Sequence, residues 1–311
     1  MNRPLSPYLT ILRPETLIAP VVGILCAALI ALSRSAAVAG AGGRFPIFGN
    51  ILLGCLAAAL LNAASNTFNQ LWDIEEDRIN KPHRVMVLGL IPWWNALGYS
   101  LLLYGLSLII AYRIQPAPGV RHAFWCIVPT VLATVFYSVK PIRLKTRGWY
   151  ANFTIALTRG GLLFVAGWSC VAPANRLEPW LLGLIFLLFL LGATTSKDFA
   201  DLPGDSATGV RTLPVQYGHR KAARVITPFF VAPWFLLPIG TLFRLDGRPL
   251  ITAQPRLIFG LAVLLAIYGY WIARLIYRTE NSTAETNHPS WRHMYQMMAL
   301  AYIGLAVCYA F

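Results

Sequence analysis

The sequence predicts an all-α, multi-span integral membrane protein. Three observations carry that expectation. Apolar runs of membrane-crossing length recur along the 311-residue chain. Hydrophobic residues make up 57% and charged residues only 12%, about half the charged share usual in soluble domains. The cations, which give a net charge of +14, lie in short stretches between the runs, a pattern that sets topology and meets anionic lipid rather than nucleic acid.

Taken in order, the runs predict nine spans, at about 16–32, 47–66, 86–112, 122–139, 150–171, 180–195, 225–243, 257–277 and 293–311. The first follows Arg13 and Pro14 with no evident cleavage site, so it is expected to remain as a helix rather than leave as a signal peptide. Pro/Gly-rich or charged connectors separate the runs, including 36–46, 116–121 and the polar 279–290. Cys26, Cys55, Cys126, Cys170 and Cys308 are scattered in apolar segments without paired spacing. They are expected to be reduced, with no disulfide or zinc role.

Nine spans place the connectors alternately on two sides. The N-terminus and the connectors after spans two, four, six and eight hold 17 of the 26 Lys and Arg. The opposite connectors hold eight, and Arg159 falls inside span five. Of the 12 acids, only Glu178 and Asp246 fall on the sparser side. Lys and Arg concentrate in cytoplasmic loops, so the acid-bearing side is expected to face the cytoplasm.

That side carries the candidate chemistry. Asn66-Thr67-Phe68-Asn69-Gln70-Leu71-Trp72-Asp73-Ile74-Glu75-Glu76-Asp77 follows the second run and leads to Asn80-Lys81-Pro82-His83-Arg84. If the run continues as a helix, Asn69, Asp73 and Asp77 share one face. Three oxygen-bearing groups on one face, two of them carboxylates, suit a hard cation, Mg²⁺ or Mn²⁺, bridging to substrate phosphates. Alone, the stretch also reads as a solvated loop end.

A second acidic cluster on the same side weighs against that: Ser196-Lys197-Asp198-Phe199-Ala200-Asp201-Leu202-Pro203-Gly204-Asp205. Asp198 and Asp201 could share a helical face, whereas Pro203 and Gly204 predict a turn around Asp205. Two acidic clusters near cations suggest a clamp on a diphosphate, with Asp73, Asp77, Asp201 and Asp205 central. Arg84, Lys197 and Arg211 are candidate partners for the phosphate oxygens. Tyr137, Lys140 and Lys145 lie in a third stretch after span four that is equally readable as flanking charge. Arg159, beside Gly160 and Gly161, is costly inside a span. It reads evenly as a phosphate or acceptor contact or as the partner of a buried carboxylate.

These residues resemble the UbiA superfamily of intramembrane prenyltransferases. Asn69, Asp73 and Asp77 match its N-x-x-x-D-x-x-x-D motif, and Asp201 and Asp205 match its D-x-x-x-D, with Asp198 just upstream. Tyr137 through Lys145 is similar to its tyrosine–lysine stretch, and Arg13-Pro14-Glu15-Thr16-Leu17 to its entry to the first helix. The resemblance covers nearly all of 1–311 as one domain. It implies a nine-helix bundle with a central cavity, opening to the cytoplasmic side under a small cap. It also implies Mg²⁺ held by both Asp motifs, with Asn69 and Asp198 among its ligands and Asn66 in the substrate site. The reaction implied is ionisation of an isoprenyl diphosphate and capture of the allylic cation by an aromatic or lipid acceptor. The second motif is most similar to branches using glycerol-linked lipids, chlorophyllide or homogentisate. One departure stands out. After Arg84 the chain runs Val85-Met86-Val87-Leu88-Gly89, more apolar than in relatives, which bears on the acceptor wall. An intramembrane terpene cyclase on the same scaffold is the alternative, and the apolar run leans toward it. A transporter is disfavoured, because the charges sit at span ends rather than at the midplane.

Overall fold

The computed structural model describes residues 6–34, 44–279 and 287–311. The expected connectors 36–46 and 279–290 fall largely outside them. The described chain is almost wholly helical. A helical turn (Pro7–Thr10) and a 3-10 turn (Pro14–Thr16) precede α1 (Ile18–Ser33) and α2 (Arg44–Trp72). Then come the short α3 (Ile74–Asn80), α4 (Trp93–Arg113) and α5 (His122–Ser138). The run α6 (149–168) is helical throughout but passes through a π-helical segment, Leu157–Leu162. After it come α7 (Leu177–Ala193), the short α8 (Asp198–Ala207), the broken α9 (His219–Leu242), α10 (Pro255–Arg278) and α11 (Pro289–Ala310). Among the described residues the strands are β1 (Arg244–Leu245) and β2 (Arg248–Pro249), paired antiparallel. The turn between them puts both Asp246 and Gly247 at positive φ, as a two-residue hairpin with right-handed strand twist demands.

Helix occupies each of the nine expected positions, but length and composition qualify only five of the described helices to cross a membrane. The number is up to six if the bent pair Pro7–Thr16 and Ile18–Ser33 counts as one span. Among the others, α5 is 17 residues long and α6 is interrupted by its π turn. Large apolar side chains, among them Leu52, Trp94, Trp125, Phe259 and Ile267, stand exposed on the outer faces of the helices, as a bundle solvated by lipid requires.

Three local expectations change. Span three begins at Trp93, not at 86, because Gly89 takes φ +66 and Pro92 is extended at ψ 140. The helix through Asn69 and Asp77 breaks at Asp73 (φ −105, ψ 14). The backbone bonds nevertheless step across the break, Asp73 N to Asn69 O at 3.1 Å and Asp77 N to Asp73 O at 2.8 Å, so the four-residue spacing survives. The turn expected at Pro203-Gly204 is instead the interior of α8.

Two apolar clusters hold the bundle. The larger joins α1, α6, α7, α9, α10 and α11, with Phe164, Phe186 and Tyr302 stacked at its centre. The smaller joins α2, α4 and the turns before α4, and it takes in Val85 and Met86. Close helix approach depends on glycine at particular points. On α10 a Cβ at Gly269 would overlap the carbonyl oxygen of Phe230, whereas one at Gly260 of the same helix would meet open space. We therefore expect Gly269→Ala to destabilise the detergent-solubilised protein by about 1–3 kcal/mol through overpacking. Gly260→Ala should be neutral or stabilising, by up to about 1 kcal/mol. Thermal unfolding of the pair checks this, and equal midpoints would contradict the packing.

Candidate functional site

The two acidic stretches meet because α3 and α8 dock on one another. Pro203 lacks an N–H and its ring crowds the preceding turn, which breaks the hydrogen-bond ladder inside α8. The side-chain amide of Asn80, at the end of α3, enters that break. Its Nδ2 donates to the Asp201 carbonyl at 3.0 Å, and its Oδ1 accepts from the Gly204 N–H at 3.0 Å. Gly204 has to be glycine, since a Cβ there would overlap the Asn80 amide.

Buried ion pairs then interleave the carboxylates with cations. Asp73 Oδ1 lies 2.5 Å from Lys145 Nζ and 3.6 Å from Arg143 Nη2. Arg143, at φ +38, turns the chain after α5 back so that its guanidinium also reaches Glu76 Oε1 at 2.5 Å and the Trp72 carbonyl at 3.0 Å. Asp77 pairs with Arg84 at 2.5 Å. Asp201 is held by Lys81 through one oxygen and by Lys197 at 2.9 Å through the other. Burial alone would raise the Asp201 carboxyl, but Lys197 and Lys81 overcome it and hold the group below the usual carboxylate range. Asp198 and Asp205 make no ion pair among the described residues. Burial, and then the charge of Asp205, pushes Asp198 well up, while burial lifts Asp205 to about 7 against the pull of Lys197.

This surplus of oxygen donors bears on a metal. The donors are carboxylate and amide oxygens, with no thiolate, and Asp198 and Asp205 repel one another. That donor chemistry fits a hard divalent cation. In the arrangement seen, no three His, Cys, Asp or Glu side chains converge on one point among the described residues. Asp73, Asp77 and Asp201 face protein cations instead.

Below the clusters the space divides into three zones. The mouth, about 1180 Å³ of open space, is lined by Arg13, Lys81, Arg84 and Lys197 with one acid, Glu15. A polar chamber of about 740 Å³ follows, where Arg13 and Lys197 recur beside Asn69, Tyr137 and Arg159. Beneath it is a largely apolar bore lined by Pro20, Ile24, Leu61 and Leu163, with Asn62, Ser65, Thr130, Thr134, Thr158 and Arg159 also on its wall. A separate apolar groove lies between 15–22 and α11, sharing Trp291 and Tyr295 with the chamber.

The structure gathers Asn69, Asp73, Asp77, Arg84, Tyr137, Lys145, Lys197, Asp198, Asp201 and Asp205 around this axis. Asn66 also lines the chamber, but its amide nitrogen is taken by the Leu12 carbonyl (2.9 Å) and Thr16 Oγ1 (2.8 Å), which pin the N-terminal segment to α2. Two predicted contacts fall outside. Lys140 is exposed beyond the end of α5, and Arg211 is exposed, with its backbone N–H on the Thr146 carbonyl. Sequence reasoning missed Lys81 and Arg143 as site residues, although both lie within or beside the stretches it singled out. It also missed the positive charge of Arg13 at the mouth and the latch formed by Asn80.

Comparison with known proteins gives a consistent picture. Residues 24–295 match the model of the UbiA prenyltransferase family. The chain is 32% identical over 299 residues to the bacteriochlorophyll synthase 34 kDa chain of Chloroflexus aurantiacus, covering 95% of this chain and 89% of that one. It is 26% identical over 303 residues to the digeranylgeranylglyceryl phosphate synthase of Methanosphaera stadtmanae, covering 97% and 99%. In fold it resembles a UbiA homolog from Archaeoglobus fulgidus bound to DMAPP and Mg²⁺, with a TM-score of 0.73, 19% identity and coverage of 98% and 99%.

The latch between α3 and α8 can be tested directly. Asn80→Ala leaves a buried N–H and a buried carbonyl without partners, so we expect a loss of about 1–3 kcal/mol of stability. Gly204→Ala should do comparable damage by displacing the amide. Combining the two should cost less than the sum of the single losses, since both break one contact. Strictly additive losses in thermal unfolding would show that the two residues act separately.

Proposed function

We infer the reaction from one premise: the chain belongs to the UbiA prenyltransferase family. It is an integral membrane enzyme that moves a prenyl group from a prenyl diphosphate to an acceptor. We propose that 1–311 acts as one domain, that its acceptor is aromatic or lipid, and that the acid-bearing end faces the cytoplasm, as the distribution of Lys and Arg supports.

The observation that carries our site assignment is the docking of two acidic helices, interleaved with cations, over a largely apolar bore. Arg13, Lys81, Arg84 and Lys197 line the mouth, where a diphosphate would find four cations already in place. Prenyl transfer breaks the bond between C1 and the diphosphate oxygen, and the electron pair leaves with the diphosphate. Preorganised positive charge at the oxygens where negative charge grows lowers that barrier. Asp73, Asp77, Asp201 and Asp205, with Asn69 and Asp198 as further oxygen donors, are the residues that would hold Mg²⁺, which neutralises the leaving diphosphate. Lys145 and Arg143 fix Asp73, and Asn80 fixes Asp201 through the backbone. The apolar bore keeps water from the allylic cation until the acceptor's electron pair closes the new bond to C1.

The apolar run that leaned toward internal cyclisation does not line the bore. Val85 and Met86 are buried in the cluster between α2 and α4. Val85 also lines the mouth, and it is the relatives named as synthases acting on separate acceptors that support transfer.

Asp73→Asn and Asp201→Asn should each slow pyrophosphate release from geranylgeranyl diphosphate by at least about 10²-fold at saturating Mg²⁺, while the protein stays folded in the membrane. Near-normal release by either variant would refute the site. Arg84→Ala should raise KM for the diphosphate, whereas the exposed Lys140→Ala should leave it unchanged. For orientation, Ser206 is exposed on α8. Ser206→Cys should react with a membrane-impermeant maleimide in inverted vesicles and resist it in intact cells. The reverse pattern would put the acids outside.

A further inference from the structure

Glu76 lies between Asp73 and Asp77 but belongs to neither spaced acidic set. On the same helix Glu75 is exposed, whereas Glu76 is buried, with 2% of its surface open. A buried carboxylate needs a charge partner, and Glu76 has Arg143 at 2.5 Å. This pair differs from the other buried ion pairs of the site. Lys81, Arg84, Lys145 and Lys197 each closely hold Asp73, Asp77 or Asp201. The close partner of Arg143 is a carboxylate that the metal assignment does not use.

Three oxygens compete for one nitrogen of that guanidinium. Arg143 Nη2 lies 2.5 Å from Glu76 Oε1, 3.0 Å from the Trp72 carbonyl and 3.6 Å from Asp73 Oδ1. The first two contacts are hydrogen bonds, and the third is too long to be one. Arg143 therefore steadies Asp73 through charge without bonding to it. Lys145, at 2.5 Å, makes the close pair. Its ammonium is a point charge on a flexible stem, which a phosphate can draw away. A guanidinium bonded to Asp73 would grip it with a planar fork and would be harder to displace. Arg143 Nε is buried without a hydrogen bond among the described residues, so the second prong of that fork has no other partner. Without the Glu76 charge, closing on Asp73 takes a movement of under about 1 Å.

We propose that Glu76 is a positioning residue: it draws Arg143 away from Asp73, so that Asp73 has a single cation to release when the divalent ion binds. This rests on the prenyl-transfer reading of the site and deepens it, by naming what keeps one metal ligand exchangeable. A charge-assisted bond from Arg143 to Asp73 would compete with the metal and weaken its binding by roughly 10–100-fold.

The test is equilibrium binding in detergent of geranylgeranyl S-thiolodiphosphate, an analogue whose bridging sulfur resists ionisation, as Mg²⁺ is varied. The readout is the Mg²⁺ concentration at half-maximal binding. Glu76→Gln should raise it at least about tenfold with Arg143 in place, and by less than about threefold in an Arg143→Gln background. A rise of equal size in both backgrounds would overturn the proposal, because Glu76 would then act through its own charge or as a ligand. An unchanged midpoint in Glu76→Gln would also overturn it. So would a loss of analogue binding that saturating Mg²⁺ does not restore, which would leave Glu76 a purely structural role. A crystal structure of Glu76→Gln reads the cause without relying on the Arg143 variants. The guanidinium should move to within about 3 Å of an Asp73 oxygen, and one that stays in place would overturn the proposal. Wild type whose analogue binding ignores Mg²⁺ would instead overturn the prenyl-transfer reading beneath it.

Discussion

The structure depends on keeping a dense set of carboxylates out of water. Asp73, Glu76, Asp77, Asp201 and Asp205 are all buried, and a buried carboxylate is tolerable only when paired or neutralised. Lys81, Arg84, Arg143, Lys145 and Lys197 supply the pairing for most of them. Such pairs contribute little net stability, because each charge gives up its hydration to form them. Their value here is readiness. On the proposed function, the same cations would turn from aspartate to phosphate oxygens, and the aspartates they release would then be available to a divalent ion.

That exchange needs the two acidic helices to hold still, and each is too short to do so alone. A helix of seven residues is marginal without tertiary support, and α8 carries a proline in its interior. The defect and its repair are coupled. Pro203 puts no N–H into the ladder, and the Asn80 amide, reaching in from the other helix, pairs with the Asp201 carbonyl and the Gly204 N–H on either side of it. The weak point of one helix thus becomes the attachment point of both.

Much of this was legible in the sequence, for identifiable reasons. Long apolar runs force helices wherever lipid is the solvent, so the positions of the helices followed directly. The spacing of Asn69, Asp73 and Asp77 marked one acidic cluster and Asp198, Asp201 and Asp205 the other, and the fold brings the two together. What was not legible depended on contacts distant along the chain. Nothing local says that Asn80 will replace a turn at Pro203, since the pairing spans more than a hundred residues. The inward turn of Arg143 depends on a positive φ that a non-glycine residue adopts only under tertiary constraint. Lys140 and Lys145 look alike in sequence, and the fold alone turns one toward Asp73 and the other to solvent. The crossing count is a different case, since helix was correctly placed but length and composition alone qualify five or six helices.

The graded cavity, wet and cationic at one end and largely apolar at the other, also sorts what the reaction makes. On the proposed reading, free diphosphate would form at the mouth, among Arg13, Lys81, Arg84 and Lys197. The prenylated product has the opposite solubility, and the groove between 15–22 and α11, walled by Trp291 and Tyr295, is lined mainly by apolar side chains. The chamber shares residues with both spaces, so on that reading the two halves of a cleaved substrate would part company by partitioning. Departure in opposite directions would make each turnover hard to reverse.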